Sequence, residues 1–213
     1  LADEIIVNSL EFKKSLKKKF NINSICIYNP IDKTNVIKKS RETLKFNFFK
    51  NNDLKLINVG RCTDQKNQIL ILKAVKHLKN KIPLKLLVAG RGKEFGKLKS
   101  YIKNNNLKTN IKLLDFLPNP YKYINKADIF ILSSNYEGLP NVLLEAQCLK
   151  KIILSTQCPT GPKEILLNGN AGTFFKMNDY KDLAKKIFFI NENKTMIKKK
   201  TKIGYKNLKR FDQ

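Results

Sequence analysis

No apolar run in this chain approaches the roughly 20 residues that a membrane-spanning helix needs, so no transmembrane segment is expected. The four cysteines, Cys26, Cys62, Cys148 and Cys158, show no CxxC pairing, and the single histidine is His77, so the spacings of a zinc site are absent. All four cysteines read as buried, reduced thiols of a cytosolic protein, three of them in or beside apolar stretches. Acidic residues are scarce, 17 against 43 lysines and arginines, and the formal net charge is +26. A potential of that sign favours nucleic acid, anionic membrane or anionic substrates. The basic residues are spread along the chain, however, only four are arginine, and no aromatic stripe offers a stacking platform for bases, so no nucleic-acid groove is expected. Lysine runs at 17–19 and 198–200 suit anionic headgroups, at about 1 kcal/mol per basic residue near such a surface, and the alternative is that they only solvate the chain. Internal repeats and low-complexity linkers are missing as well.

What is present is a regular alternation. Apolar runs at 54–59, 84–89, 111–114 and 129–132 read as buried strands, and the stretches between them carry helical periodicity. This pattern predicts an α/β fold, a Rossmann-like doubly wound parallel sheet. Helices are expected over 66–79, from Glu94 to about Asn104, from Asn141 to about Lys150, and through the tail from Lys181 to Phe211.

The most informative segment follows the fourth of those strands: Glu137-Gly138-Leu139-Pro140-Asn141 running to Glu145. Pro140 suits the first turn of a helix, where its missing N–H is no loss, so a helix starts near Asn141 with its N–H groups facing the preceding loop. Such an end attracts anions, and Gly138 lets the backbone approach a ligand closely. Glu145 lies one turn into that helix, on the face of Asn141. Carboxylates beside a phosphate site accept hydrogen bonds from hydroxyls, which sugars and riboses offer. By itself the spacing is equally compatible with a solvated loop acid and an ordinary charged helix position.

Earlier in the chain, Gly60 follows an apolar strand as a tight turn, and Arg61 and Lys66 stand beside the next helix. Arginine can fork onto phosphate oxygens, and lysine adds a point charge. Gly90-Arg91-Gly92 with Gly96 has the outline of a dinucleotide fingerprint, with Asp115 near the place of a ribose-binding acid, but its third glycine comes one residue late.

Taken together, Glu137-Gly-Leu-Pro140 through Glu145, Asn58-Val-Gly60-Arg61 with Lys66, and the strand leading into Gly90-Arg91-Gly92 resemble the retaining glycosyltransferases of family 4, which have the two-domain GT-B fold. The resemblance implies that Arg61 and Lys66 hold the diphosphate of a nucleoside diphosphate sugar, that Glu137 orients the donor sugar and that Glu145 holds the ribose. It places main-chain groups near Phe116 and Leu117 against the nucleobase, although an aromatic after a strand also suits a core position. Gly60, Gly90, Gly138, Leu139, Pro140 and Asn141 complete the implied donor site. The segment Cys158-Pro-Thr-Gly161-Pro-Lys-Glu164 resembles a loop of family members that act on surface polysaccharides; Gly161 would close over the donor sugar, while Glu164 suits the first turn of its own helix as a cap. Residues 1–30 resemble the end of the acceptor domain and its crossover, 31–180 the donor domain, and 181–213 a tail that packs back toward an acceptor domain lying upstream.

The implied reaction moves a hexosyl group, with retention, from a nucleoside diphosphate sugar such as a UDP-sugar to a lipid-linked or polysaccharide acceptor. It requires no cofactor and no metal, since Arg61, Lys66 and a helix N-terminus can neutralise the leaving diphosphate. Peripheral contact with an anionic membrane at its cytoplasmic face fits the charge. A non-catalytic nucleotide-sugar binding module and a basic surface-binding protein are the alternatives.

Overall fold

The computed structural model describes residues 3–50 and 52–212. Six parallel strands form the central sheet: β3 (Leu54–Val59), β4 (Leu84–Ala89), β5 (Ile111–Leu114), β6 (Ile129–Leu132), β7 (Ile152–Thr156) and β8 (Thr173–Phe175). Their spatial order is β5-β4-β3-β6-β7-β8. The chain winds outward from β3 in one direction and from β6 in the other, so the two strands meet at a topological switch point, where open α/β sheets bind their ligands. Asn58 of β3 ties the pair together, its side-chain amide donating to the Ile131 carbonyl at 2.9 Å.

Near-continuous apolar sequence in these strands is explained by helices on both faces. One face packs α3 (Gln68–Leu78), α4 (Phe95–Asn104) and α8 (Tyr180–Glu192) on Leu56, Leu86, Val88 and Ile131. The other packs α2 (Lys33–Ser40), α5 (Tyr121–Lys126), α6 (Asn141–Cys148) and the short α7 (Pro162–Ile165) on Ile57, Leu87, Phe130 and Ile153. The expected α3 begins two residues later than the periodicity suggests, because Asn67 takes a left-handed conformation (φ 48°) and leaves Lys66 in the loop. The helical tail is likewise broken, at Asn193 (φ −124°, ψ 33°), into α8 and α9 (Lys194–Asn207), followed by a 3-10 turn (Leu208–Phe211). α9 crosses from the first face to the second: Ile197 joins one core, and Leu208 and Phe211 the other.

The N-terminal stretch stands apart from this sheet. β1 (Ile6–Val7) and β2 (Ile25–Cys26) form a parallel pair of their own around α1 (Leu10–Phe20), which buries no residue. Ile6, Phe20 and Ile27 are more than half exposed.

Cys62, Cys148 and Cys158 are buried free thiols, as expected, and burial pushes them up to about 11, 12 and 11, so they stay protonated and inert at neutral pH. Cys26, on the small β1–β2 sheet, is only half-buried. Lys200 is not available to headgroups: its ammonium donates to the carbonyls of Gly169 and Gly172 at 2.8 and 2.9 Å, satisfying backbone groups ahead of β8. No helix among the described residues is long and apolar enough to cross a membrane.

Candidate functional site

The loops leaving β3 and β6 flank the switch point and are stitched to each other. The Asn135 N–H donates to the Gln65 carbonyl at 2.8 Å, its side-chain amide to the Asp64 carbonyl at 3.0 Å, and Gln65 returns a bond to the Tyr136 carbonyl at 3.0 Å. The Ser133 hydroxyl donates to the Lys66 carbonyl at 2.7 Å. These bonds hold the Lys66 backbone opposite Glu137, 71 residues further along the chain.

Lys66 and Glu137 form an ion pair at 2.5 Å with side chains only 16% and 7% exposed, and the Ser134 hydroxyl donates to the same carboxylate oxygen at 2.6 Å. The sequence reading assigned these residues to separate parts of a ligand; the structure instead joins them. The reason is electrostatic, since each charge at this depth needs a counter-charge. Ser134 carried no signal in the sequence.

Arg61 has an exposed side chain and no carboxylate within ion-pair distance among the described residues, while its carbonyl accepts from the Gln68 amide at 2.9 Å. The backbone is therefore anchored and the guanidinium presented. Gly60 precedes it at the end of β3. Gly90 and Gly92 act through close approach: a Cβ at Gly90 would stand 1.9 Å from the Gly60 carbonyl oxygen, and one at Gly92 would stand 2.3 Å from that of Cys62. Gly90 thus brings the exits of β3 and β4 together rather than offering an open ligand surface. Gly96 lies in α4 with nothing within 4 Å of a Cβ, which leaves the dinucleotide outline without its third glycine. Arg91 and Asp115 face each other at 4.0 Å, both well exposed.

At the other side of the switch point, Pro140 precedes α6 and no side chain caps the first N–H groups of that helix. The open helix start read from Pro140 is present. Leu139 and Pro140 are buried and seat the turn, and Gly138 is exposed. The side chain of Asn141 accepts from that of Asn29 at 3.1 Å. A Cβ on Gly138 would stand 3.3 Å from the Asn8 side chain. Asn8 and Asn29 therefore border the site, although the sequence marked them only as parts of the N-terminal stretch.

Gly161 does not stand open to a donor sugar. With φ 81° it presses on the Gly138 loop, so that a Cβ would meet the Gly138 carbonyl oxygen at 2.1 Å. Nor does Glu164 cap its own helix. Its carboxylate, 6% exposed, accepts the N–H groups of Leu10 and Glu11 at 3.3 Å, at the open start of α1. It also takes the Tyr28 hydroxyl and lies 3.5 Å from the Arg210 guanidinium. α7 is a single short turn, so its acid reaches the neighbouring helix, whose orphan donors it satisfies.

Phe116 is 71% exposed, so it is not a core residue, and Leu117 beside it is half-buried. Glu145 is half-buried on α6, where its carboxylate accepts the Tyr121 hydroxyl at 3.3 Å. Burial raises its proton affinity above the ordinary carboxylate value of 4.5, with the Tyr121 bond pulling the other way. A folded-state value raised in this way means that stability is greatest when the group is protonated and falls as pH rises through it. Glu145→Gln, which keeps an acceptor for Tyr121, should therefore raise the melting temperature at pH 7, with the gain lost as pH falls through the ordinary carboxylate range. Scanning calorimetry at pH 7 and in that range checks this; an unchanged or lowered melting temperature at pH 7 would show that Glu145 is not strained by burial.

Among the described residues no group of three or more His, Cys, Asp or Glu side chains is arranged to hold a metal ion. His77 is exposed on α3, as its sequence position suggested.

The chain is similar to several known proteins. Residues 40–210 match the family "Glycosyl transferases group 1". An uncharacterized glycosyltransferase of Methanocaldococcus jannaschii is 38% identical over 78% of the chain, which covers 42% of that protein. The N-acetylgalactosamine-N,N'-diacetylbacillosaminyl-diphospho-undecaprenol 4-alpha-N-acetylgalactosaminyltransferase of Campylobacter jejuni is 30% identical over 97% of the chain and is covered to 54%. The chain thus spans about half the length of these curated relatives. Among solved structures, Anabaena HepE in complex with UDP and glucose superposes with a TM-score of 0.84 at 19% identity, over all of this chain and 60% of that one. A glycosyltransferase of Rickettsia africae superposes with a TM-score of 0.85 at 19% identity, over 98% of this chain and 59% of its own. With a Rossmann-like sheet of the GT-B type, a switch point built as described and a family match across most of its length, this chain belongs to the group 1 glycosyltransferases.

Proposed function

We propose that the chain is the donor-binding half of a retaining hexosyltransferase that takes a UDP-sugar and serves a lipid-linked or polysaccharide acceptor. The observation that carries this reading is the convergence at the switch point of a presented Arg61, the Lys66–Glu137 pair and the uncapped start of α6. Arg61 and the N–H groups of α6 receive the diphosphate. Lys66 shares its charge between the diphosphate and Glu137. The Glu137 carboxylate, held by Ser134, accepts hydroxyls of the donor sugar, and Glu145 accepts those of the ribose. Phe116 and Leu117 border the base.

In the transfer step the bond between the anomeric carbon and the diphosphate breaks and a bond to the acceptor oxygen forms on the same face. The departing phosphate takes the acceptor proton, and the positive groups around it stabilise the developing charge. This reaction assigns no role to a metal ion. UDP as the nucleotide is supported by the bound UDP of Anabaena HepE, and a lipid-linked acceptor by the undecaprenol diphosphate named for the Campylobacter relative. Residues 1–30 and 181–213 would be the links to an acceptor domain, a role that suits the exposed Ile6, Phe20 and Ile27.

Calorimetric titration with UDP, GDP and ADP tests the reading. UDP should bind best, and Arg61→Ala should weaken it by about 10- to 100-fold, the loss of one or two charge-assisted bonds. Equal affinity for the three nucleotides, or an unaffected Arg61→Ala, counts against the assigned donor site.

A further inference from the structure

Away from the switch point, the face of the sheet that carries α3 and α8 holds two adjoining hollows. One, of about 400 Å³, is lined by Lys73, Lys76, His77, Tyr101 and Tyr180. The other, of about 290 Å³, shares His77 and continues past Lys81, Lys181 and Lys185 to Phe188. Together they make a groove that runs along α3 and α8, with Tyr101 of α4 closing one end. Tyr101, Tyr180, Leu78 and Ala184 give it an aromatic and aliphatic lining, and lysines stand along its rim.

No carboxylate lines either hollow, and none of these lysines has an ion-pair partner among the described residues. The acids of α8 itself are engaged elsewhere: Asp182 accepts the Lys176 N–H at 2.8 Å, and Glu192 accepts the Asn191 amide at 3.0 Å. Phe188 at the end of the groove and Phe189, next to it in the chain, are 42% and 45% exposed. Uncompensated lysines concentrated around an apolar channel, beside two phenyl rings left in water, match the two layers of an anionic bilayer surface: phosphates outside, acyl chains beneath.

We propose that the α3–α8 groove and the Phe188–Phe189 ridge dock the protein on an anionic lipid surface, with lipid phosphates between the lysines and the rings in the acyl boundary. The site stands on its own geometry, and it gives the proposed function a surface on which to meet a lipid-linked acceptor.

Vesicle co-sedimentation tests it, using phosphatidylcholine alone and phosphatidylcholine mixed with phosphatidylglycerol. Binding is expected only to the mixed vesicles. Lys181→Glu/Lys185→Glu should weaken it at least about tenfold, since each basic residue at such a surface contributes about 1 kcal/mol. Phe188→Ser/Phe189→Ser should weaken it comparably. Lys17→Glu/Lys18→Glu, the same charge change placed on α1, should weaken it far less. Equal losses from the two charge variants would reduce the effect to bulk charge and overturn the proposal. So would unchanged binding of the phenylalanine variant, absence of binding to mixed vesicles, or displacement by inorganic phosphate, which would mark a soluble-anion site. UDP titration of the same preparations reads the donor site separately, so either conclusion can fail alone.

Discussion

Lys66→Met is expected to lower the stability of this chain by about 3 kcal/mol, because it leaves the Glu137 carboxylate, 7% exposed, with only the Ser134 hydroxyl as partner. In a chain of this size that corresponds to a fall of roughly 6–12 °C in melting temperature. The second half of the expectation concerns the double variant. Lys66→Met/Glu137→Gln removes both charges and should recover most of the lost stability, since a neutral amide beside Ser134 carries little desolvation penalty. Binding of a UDP-sugar should not recover with it. Melting curves of the two single variants and the double variant, each with and without UDP-glucose, measure the coupling directly. A double variant no more stable than Lys66→Met would mean that the pair is not the source of the loss.

Gly90→Ala is expected to be about as damaging, through a different cause. A methyl group there would lie 1.9 Å from the Gly60 carbonyl oxygen, so the loop leaving β3 has to move away from the loop leaving β4. Backbone, unlike the end of a flexible side chain, yields little, and the φ of 151° at Gly90 is itself unfavourable for alanine. A cost of about 3 kcal/mol or more is expected, within the range of severe overpacking. Because Gly60 leads directly into Arg61, the same shift should also weaken UDP binding in whatever fraction remains folded. Gly96→Ala, in open surroundings on α4, is the matched control and should leave both properties unchanged or add slightly to helix stability. Equal melting temperatures for the two alanine variants would show that the β3 and β4 loops tolerate separation.

Most of the sheet was legible because a parallel strand covered on both faces has to be apolar almost throughout, and β3, β4 and β6 are. β7 was the least visible from periodicity, since its buried Ser155 and Thr156 interrupt the apolar run. The open start of α6 could be read from Pro140, and Arg61 from its scarcity and its place after a strand. What stayed hidden depends on contacts between distant parts of the chain. Nothing local in Glu164 says that it faces Leu10 and Glu11, 154 and 153 residues away. Spacing alone likewise does not distinguish a Lys66 that waits for a phosphate from one that holds Glu137. Tyr121 and Asn29 have no motif around them, and become visible only when α5 and the N-terminal stretch are placed beside α6. Glycines carried a real but ambiguous signal: Gly90 and Gly161 were expected to serve a ligand, and each lies so close to neighbouring backbone that packing alone requires a glycine there.

Glu164 joins stretches of chain that are otherwise far apart. Through one carboxylate the start of α1, the hydroxyl of Tyr28 and the guanidinium of Arg210 are all fastened to the turn that begins at Gly161, and that turn rests on Gly138. Arg210 also donates to Tyr28 at 3.0 Å, so the segment after β2 and the C-terminal 3-10 turn are clasped to each other as well as to Glu164. Any displacement of α1 relative to the sheet would therefore be felt through Glu164 at the turn against Gly138, one residue from Glu137.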